Sequence, residues 1–197
     1  MRVIAGTARS VALAAPKGTA TRPTTDRLKE NLFNLLMPTL SGARFLDLYS
    51  GSGAIGIEAL SRGASTATLV ENAPKALEAI RANLKKTNLA EKAEILSMPV
   101  ECAIGWLEKN NKLYDIIFMD PPYNKGYIPS TFHWLEKTGL LAENGILATE
   151  MPSAEENPLT GALVLLKEKI YGEIKFTLYK GGNMAHNIHT TCKDSTP

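Results

Sequence analysis

Two stretches of the chain combine residue types and spacings that can do chemistry. In Asp47-Leu48-Tyr49-Ser50-Gly51-Ser52-Gly53-Ala54-Ile55-Gly56, the glycines at 51, 53 and 56 form a G-x-G-x-x-G run between a short apolar strand pattern and a helix pattern. Glycines let the backbone turn tightly and approach a ligand, and the helix start offers free N–H groups. Glu71 lies twenty residues beyond Gly51, at the end of the next strand pattern. A carboxylate there can accept hydrogen bonds from the hydroxyls of a ribose. This combination points to an adenosine-containing cofactor and does not separate NAD from S-adenosylmethionine. A glycine turn that only shapes the backbone is the alternative.

The second stretch is Asp120-Pro121-Pro122-Tyr123, directly after the apolar run Ile116-Ile117-Phe118-Met119. Ligands of parallel sheets bind at the carboxyl ends of the strands, which is where this segment falls. Two prolines stiffen the backbone and remove two N–H donors. Asp120 and the Pro121 carbonyl then present two acceptors, and Tyr123 a flat aromatic face. An exocyclic amine on a planar base needs that set: two acceptors for its two hydrogens and a ring to stack on.

Elements that position these motifs follow from hydrophobic period. A helix is expected from about Thr25 to Met37, with Leu28, Leu32, Leu35 and Leu36 on one face and Pro38 ending it. From Arg44 onward strand and helix patterns alternate. Strands are read at 45–48, 67–70, 95–96, 114–119 and 145–150. Helices are read through Leu60, from Pro74 to about Lys86, from Val100 to Leu107, and over most of 126–139. Leu163 to Ile170 and Glu173 to Tyr179 flank Tyr171-Gly172 and read as an antiparallel hairpin. Repeated βα units imply an α/β fold, a doubly wound and mostly parallel seven-stranded sheet with helices on both faces. The first twenty residues read as a small β-hairpin extension, Val3-Ile4-Ala5 and Val11-Ala12-Leu13 about a Gly6-Thr7 turn. The expected division is 1–24 as a hairpin or basic arm, 25–180 as the main domain, and 181–197 as a loosely ordered tail containing His186 and His189.

Composition removes several classes. The 197 residues include two cysteines, Cys102 and Cys192, without CxxC spacing, so neither a disulfide framework nor a Cys-rich zinc site is expected. No apolar run approaches the ~18 residues that cross a bilayer. Arg9 interrupts the small apolar residues near the start, unlike a signal peptide, and the expected location is cytoplasmic. Residues 1–30 hold six basic side chains (Arg2, Arg9, Lys17, Arg22, Arg27, Lys29) against Asp26 and Glu30, a head of +4 on a chain of net +2. A basic head on a near-neutral body fits a polyanion partner, because Lys and Arg neutralise phosphates. Arg9, Lys17 and Arg27 are the candidate phosphate contacts. For Arg22 and Arg27, helix-start salt bridges or cofactor contacts are equally good readings.

Asp47-to-Gly53, Glu71 and Asp120-to-Tyr123 together resemble a class I S-adenosylmethionine-dependent methyltransferase acting on an amino nitrogen. Arg2-Val3-Ile4-Ala5-Gly6, Arg22-Pro23-Thr24-Thr25-Asp26-Arg27-Leu28-Lys29-Glu30 and Leu32-Phe33-Asn34 resemble the RsmD family, the bacterial 16S rRNA guanine-N2 methyltransferases. The resemblance runs from about residue 1 to 180. It implies a Rossmann-like fold and methyl transfer from S-adenosylmethionine, leaving S-adenosylhomocysteine, to the N2 amine of a guanine of the 966 type. It implies 16S rRNA as partner, in the assembling or assembled 30S subunit, with no membrane, no metal and a monomeric enzyme. It implies that Asp120, Pro121 and Tyr123 meet the target guanine. The cofactor would be held by Asp47, Ser50, Gly51, Ser52, Gly53, Glu71 and Asp120, with Arg22 and Thr24 against its methionine end. Ser50 stands where alanine is usual. Ser97-Met98-Pro99 lacks the aspartate that often meets the adenine amine, which leaves adenine to backbone groups.

Four alternatives accompany this reading. Adenine-N6 methylation of DNA or RNA uses the same Asp-Pro-Pro-Tyr, and only the N-terminal resemblance favours guanine in rRNA. A catalytically silent RNA-binding scaffold would have no need of the intact acceptor motif. An NAD-dependent oxidoreductase explains Asp120-to-Tyr123 poorly. A cysteine nucleophile is set aside because Pro122, not cysteine, follows Pro121, and Cys102 reads as a small core residue on its helix.

Overall fold

In a computed structural model, residues 1–16, 25–122, 126–158 and 160–181 are described. Their strands are β1 (Arg44–Asp47), β2 (Thr66–Glu71), β3 (Ala93–Ser97), β4 (Tyr114–Met119), β5 (Leu141–Pro152), β6 (Leu163–Tyr171) and β7 (Ile174–Gly181). They form one seven-stranded sheet in the order β3-β2-β1-β4-β5-β7-β6. The pairings from β3 to β5 are parallel. Those of β7 with β5 and with β6 are antiparallel. The chain winds outward from β1 to β3, then returns to lay β4 on the other side of β1. That reversal opens a crevice above the carboxyl ends of β1 and β4.

Two apolar layers cover the sheet because strand side chains alternate between its faces. One face packs against α1 (Asp26–Leu40), α2 (Ala54–Ser61) and α3 (Pro74–Thr87) through Phe33, Phe45, Ile57, Leu69, Ile80, Phe118 and Phe176. The other packs against α4 (Val100–Lys109) and α5 (Tyr127–Lys137) through Leu46, Val70, Leu107, Ile117, Phe132 and Tyr179. The helices on both faces and the terminal antiparallel hairpin match the sequence reading.

Three expectations are corrected. Pro38 does not end α1, which runs on to Leu40. Pro38 costs the helix one bond, the N–H that would have donated to the Asn34 carbonyl, and burial of Leu40 in the core two residues on favours continuation. β5 and β3 are longer than their apolar runs, because β5 is held at its start by the Leu141–Tyr114 pairing with β4 and at its end by β7 as far as Pro152, and β3 is an edge strand held by β2. Cys102 is exposed rather than a core residue. The buried stripe of α4 is Val100, Ala103, Ile104 and Leu107, and position 102 falls off it.

The N-terminal hairpin is minimal, with one bridge between Arg2 and Ala12 and Val3, Ala8 and Leu13 inserted into the first core. Its anchor is polar. The buried carboxylate of Glu58 on α2 accepts the backbone N–H of Ile4 at 2.8 Å and of Ala5 at 3.0 Å. It also pairs with Lys29 of α1 at 3.3 Å and Arg62 at 2.7 Å. The Lys29 ammonium donates as well to the Arg2 carbonyl. Ser61 accepts the Ala8 N–H and donates to the Ala5 carbonyl. Gly6 fits here because a Cβ at that position would lie 1.7 Å from the Ser61 carbonyl oxygen.

Candidate active site

The crevice above β1, β2 and β4 contains a cavity of about 600 Å³. Its floor comes from the loop after β1. Gly51 and Gly53 adopt positive φ, +53° and +77°, a region that side chains with a Cβ rarely enter. The third glycine serves packing: a Cβ on Gly56 would meet Leu69 at 2.1 Å, so glycine lets α2 lie close on β2.

Acidic side chains shape the site. Glu71, at the end of β2, accepts the N–H of Gly51 at 2.9 Å through one oxygen and those of Asn72 and Ala73 through the other. It therefore braces the glycine loop while lining the cavity. Asp47 stands behind the loop, 1% exposed and outside the lining, with Oδ2 accepting the Gly56 N–H at 3.2 Å. The structure thus gives Asp47 a loop-shaping contact. Burial pushes its carboxyl up to about 7, against the Gly56 N–H, and the nearby Glu71 adds to the rise. Ser50 ties the loop down by donating to the Asp47 carbonyl at 2.9 Å.

Asp120 follows β4 and lines the cavity with Pro122, whereas Pro121 is buried and contributes none of the wall. Burial raises the Asp120 carboxyl well above the ordinary carboxylate range, and the negative charges of Glu150 and Asp47 raise it further. Of the residues singled out from sequence, Ser50, Gly51, Ser52, Glu71 and Asp120 meet in this one cavity. Gly53 caps α2 just behind it. Tyr123, Lys17, Arg22 and Thr24 lie outside the described residues. Arg9, in the hairpin turn, and Arg27, on α1, are exposed and do not line the cavity.

Met98 and Pro99 lie in the stretch read as facing adenine, and several other lining residues escaped the sequence reading. Tyr49 and Tyr127 bring their rings to 6.2 Å, tilted by 45°. The Tyr49 hydroxyl is fixed by Thr131 at 2.8 Å. Met98, Pro99, Val100 and Glu101 form the far wall after β3. Ala15 and Pro16 close another side, and Asn83 holds that segment. Its amide oxygen accepts the Ala14 N–H at 2.8 Å, and its amide nitrogen donates to the carbonyls of Ala14 at 3.0 Å and Ser52 at 2.9 Å. Tyr49 lies inside the glycine motif and was legible by position; Asn83 carries no signal apart from the fold. Among the described residues, no group of three or more His, Cys, Asp or Glu is placed to hold a metal ion.

The wall carries three carboxyl side chains, Glu71, Glu101 and Asp120, and no Lys or Arg side chain among the described residues joins them. Such a wall suits a cofactor that carries positive charge better than a pyrophosphate. The switch-point crevice, the antiparallel β6–β7 pair and the acidic Gly-loop cavity define a Rossmann-like fold of the class I methyltransferase type. The chain belongs to the RsmD-type methyltransferase family: the family model described as conserved hypothetical protein 95 matches residues 1–180. It is 35% identical over 181 residues to the ribosomal RNA small subunit methyltransferase D of Escherichia coli K12, covering 91% of this chain and 89% of that one. The solved structure of a hypothetical protein of Thermus thermophilus is 32% identical, with a TM-score of 0.80 and coverage of 91% and 99%. An RNA methyltransferase of Salinibacter ruber, solved with S-adenosylhomocysteine, shares the fold at 14% identity and a TM-score of 0.65, covering 82% of this chain and 95% of that one.

Proposed function

We propose that this protein methylates ribosomal RNA with S-adenosylmethionine, at the exocyclic N2 amine of a guanine in 16S rRNA. The observation that carries the reading is the acidic cavity in which Asp120, the Gly51 loop and Glu71 converge. Similarity to a small-subunit rRNA methyltransferase across most of both chains supports rRNA as the substrate class.

The residues fit the cofactor. Glu71 retains lone-pair capacity beyond the three N–H groups it accepts, enough for a ribose hydroxyl. Met98 and Val100 offer apolar surface to a purine, and Glu101 supplies near the start of α4 the carboxylate that Ser97-Met98-Pro99 lacks. S-adenosylmethionine held there would supply an electrophilic methyl to the amine nitrogen, the carbon–sulfur electron pair staying on sulfur and the nitrogen giving up a proton.

The guanine amine is a weak nucleophile because its lone pair is delocalised into the ring. Asp120 accepts a hydrogen of the amine and orients its lone pair, Tyr123 stacks on the base, and Pro121, buried behind the wall, stiffens the backbone that carries Asp120. Positioning of this kind supplies roughly 7–11 kcal/mol for well-oriented reactants. Asp120, whose carboxyl is already raised, receives the proton and passes it to water. Asp120→Ala should lower single-turnover methylation of 30S particles by at least about a hundredfold. Calorimetric affinity for S-adenosylhomocysteine should change little. Near-normal methylation by that variant would remove Asp120 from the reaction.

A further inference from the structure

We propose that Asn83 is a positioning residue of the cofactor site, the fastening that makes the N-terminal hairpin one of that site's walls. The inference rests on the cofactor part of the reading above and deepens it, whichever nucleic acid accepts the methyl. Its basis is one buried amide shared between two backbones. Asn83 lies on α3, 1% exposed, among the buried Ala76, Ala79, Ile80 and Leu84. Its amide oxygen accepts the Ala14 N–H at 2.8 Å, and its amide nitrogen donates to the Ala14 carbonyl at 3.0 Å. The same nitrogen donates to the Ser52 carbonyl at 2.9 Å.

Ser52 lines the cavity, as do Ala15 and Pro16, the two residues that follow Ala14. Met1 lines it too, and its carbonyl accepts the Leu13 N–H at 3.0 Å, so both arms of the hairpin reach the site. Asparagine is a poor helix former, and burying its amide costs desolvation energy that an apolar side chain would avoid. Here the amide spends its hydrogen bonds between elements instead of within α3. The glycine loop is thus braced twice from outside, by Glu71 of β2 on the Gly51 N–H and by Asn83 of α3 on the Ser52 carbonyl. The second brace also holds the hairpin, so a ligand that fills the cavity bears on both walls at once. By linkage, cofactor binding and docking of residues 14–16 strengthen one another. Glu58 and Ser61 hold residues 4, 5 and 8 independently, so loss of the Asn83 contacts loosens this wall and leaves the rest of the hairpin fastened.

The test combines calorimetric affinity for S-adenosylhomocysteine with amide hydrogen exchange of residues 1–16, and neither measurement needs RNA. In the parent protein, saturating S-adenosylhomocysteine should slow exchange of the Ala14 N–H. Asn83→Asp keeps an oxygen for that N–H but turns an acceptor toward the carbonyls of Ala14 and Ser52. It should weaken S-adenosylhomocysteine at least about fivefold, as expected where a buried acceptor loses its donor, and abolish the protection of Ala14. The KM for S-adenosylmethionine should rise in step, while the single-turnover rate at saturating cofactor stays within about twofold of the parent's. A merely structural role would lower the melting temperature and leave the affinity and KM of the folded protein unmoved. Asn83→Ala removes the same bonds without adding charge, and carries the test in the event that the aspartate variant folds poorly. Unchanged affinity in these variants, or no effect of S-adenosylhomocysteine on Ala14 exchange in the parent, would overturn the proposal. If affinity and exchange respond as expected while the parent protein places no methyl on ribosomal RNA, the positioning role is supported and the rRNA reading is what fails.

Discussion

Asp47 shows how a residue legible in the sequence can act through the backbone it shapes. It opens the glycine stretch, and its buried carboxylate fastens the start of α2 through the Gly56 N–H. A buried carboxyl raised to about 7 binds its proton more tightly in the folded chain than in the unfolded one. Stability from this group is therefore complete at acidic pH and is lost as pH rises from the ordinary carboxylate range through about 7. Asp47→Asn keeps an oxygen for the Gly56 N–H and removes the titration. Thermal melting of the two proteins between about pH 5 and pH 8 should show a smaller loss of Tm in the variant. Equal losses would mean that Asp47 ionises without cost. Asp120 behaves differently from Asp47: it was legible as both motif and site, because a Pro-Pro pair after an apolar strand leaves few places for an aspartate to point.

At the scale of elements, hydrophobic period carried most of the fold. β4 matches the expected strand 114–119 residue for residue, and α3 closes at Asn88 in the left-handed conformation, within a turn of the expected end. What period did not carry is long-range pairing. Nothing local in residues 141–144 marks the start of β5, and β3 contains only Leu96 as a fully buried position. The same holds for side chains that act between elements. Asn83 and Glu58 look like ordinary helix residues until the hairpin is laid across them, and then both become clamps on residues 1–16. Glu58→Ala would leave the buried Lys29 without its ion-pair partner and free two N–H groups of the hairpin. Removal of one partner from such a buried pair costs roughly 3–5 kcal/mol, so chemical denaturation should register a loss of that order. A loss below about 1 kcal/mol, the range of exposed pairs, would show that the hairpin anchor contributes little.

For the whole molecule, charge is divided by place. The carboxyls of the cavity face the proposed cationic cofactor, while Arg9 and Arg27 of the basic head are exposed and lie outside that wall. RNA gripped from that side leaves the acidic cavity to the one base that enters it. Replacement of Arg9 and Lys17 together should weaken binding to 30S particles and flatten its dependence on salt, by a slope of up to about one for each phosphate no longer neutralised. An unchanged salt slope would move the RNA grip elsewhere. No helix among the described residues is long and apolar enough to cross a membrane. The one sheet buries both of its cores against helices, so the strand ends that bear Glu71, Asp120 and Glu150 are fixed to a single rigid frame.

The account is tested most directly by methyl transfer from labelled S-adenosylmethionine to assembled 30S particles, naked 16S rRNA and duplex DNA taken from cells lacking this activity, followed by nucleoside analysis. Label in N2-methylguanosine from the ribosomal material is the predicted result. Label in N6-methyladenine would keep the Asp120 chemistry and contradict the guanine assignment, and no label in any nucleic acid would contradict the catalytic reading itself.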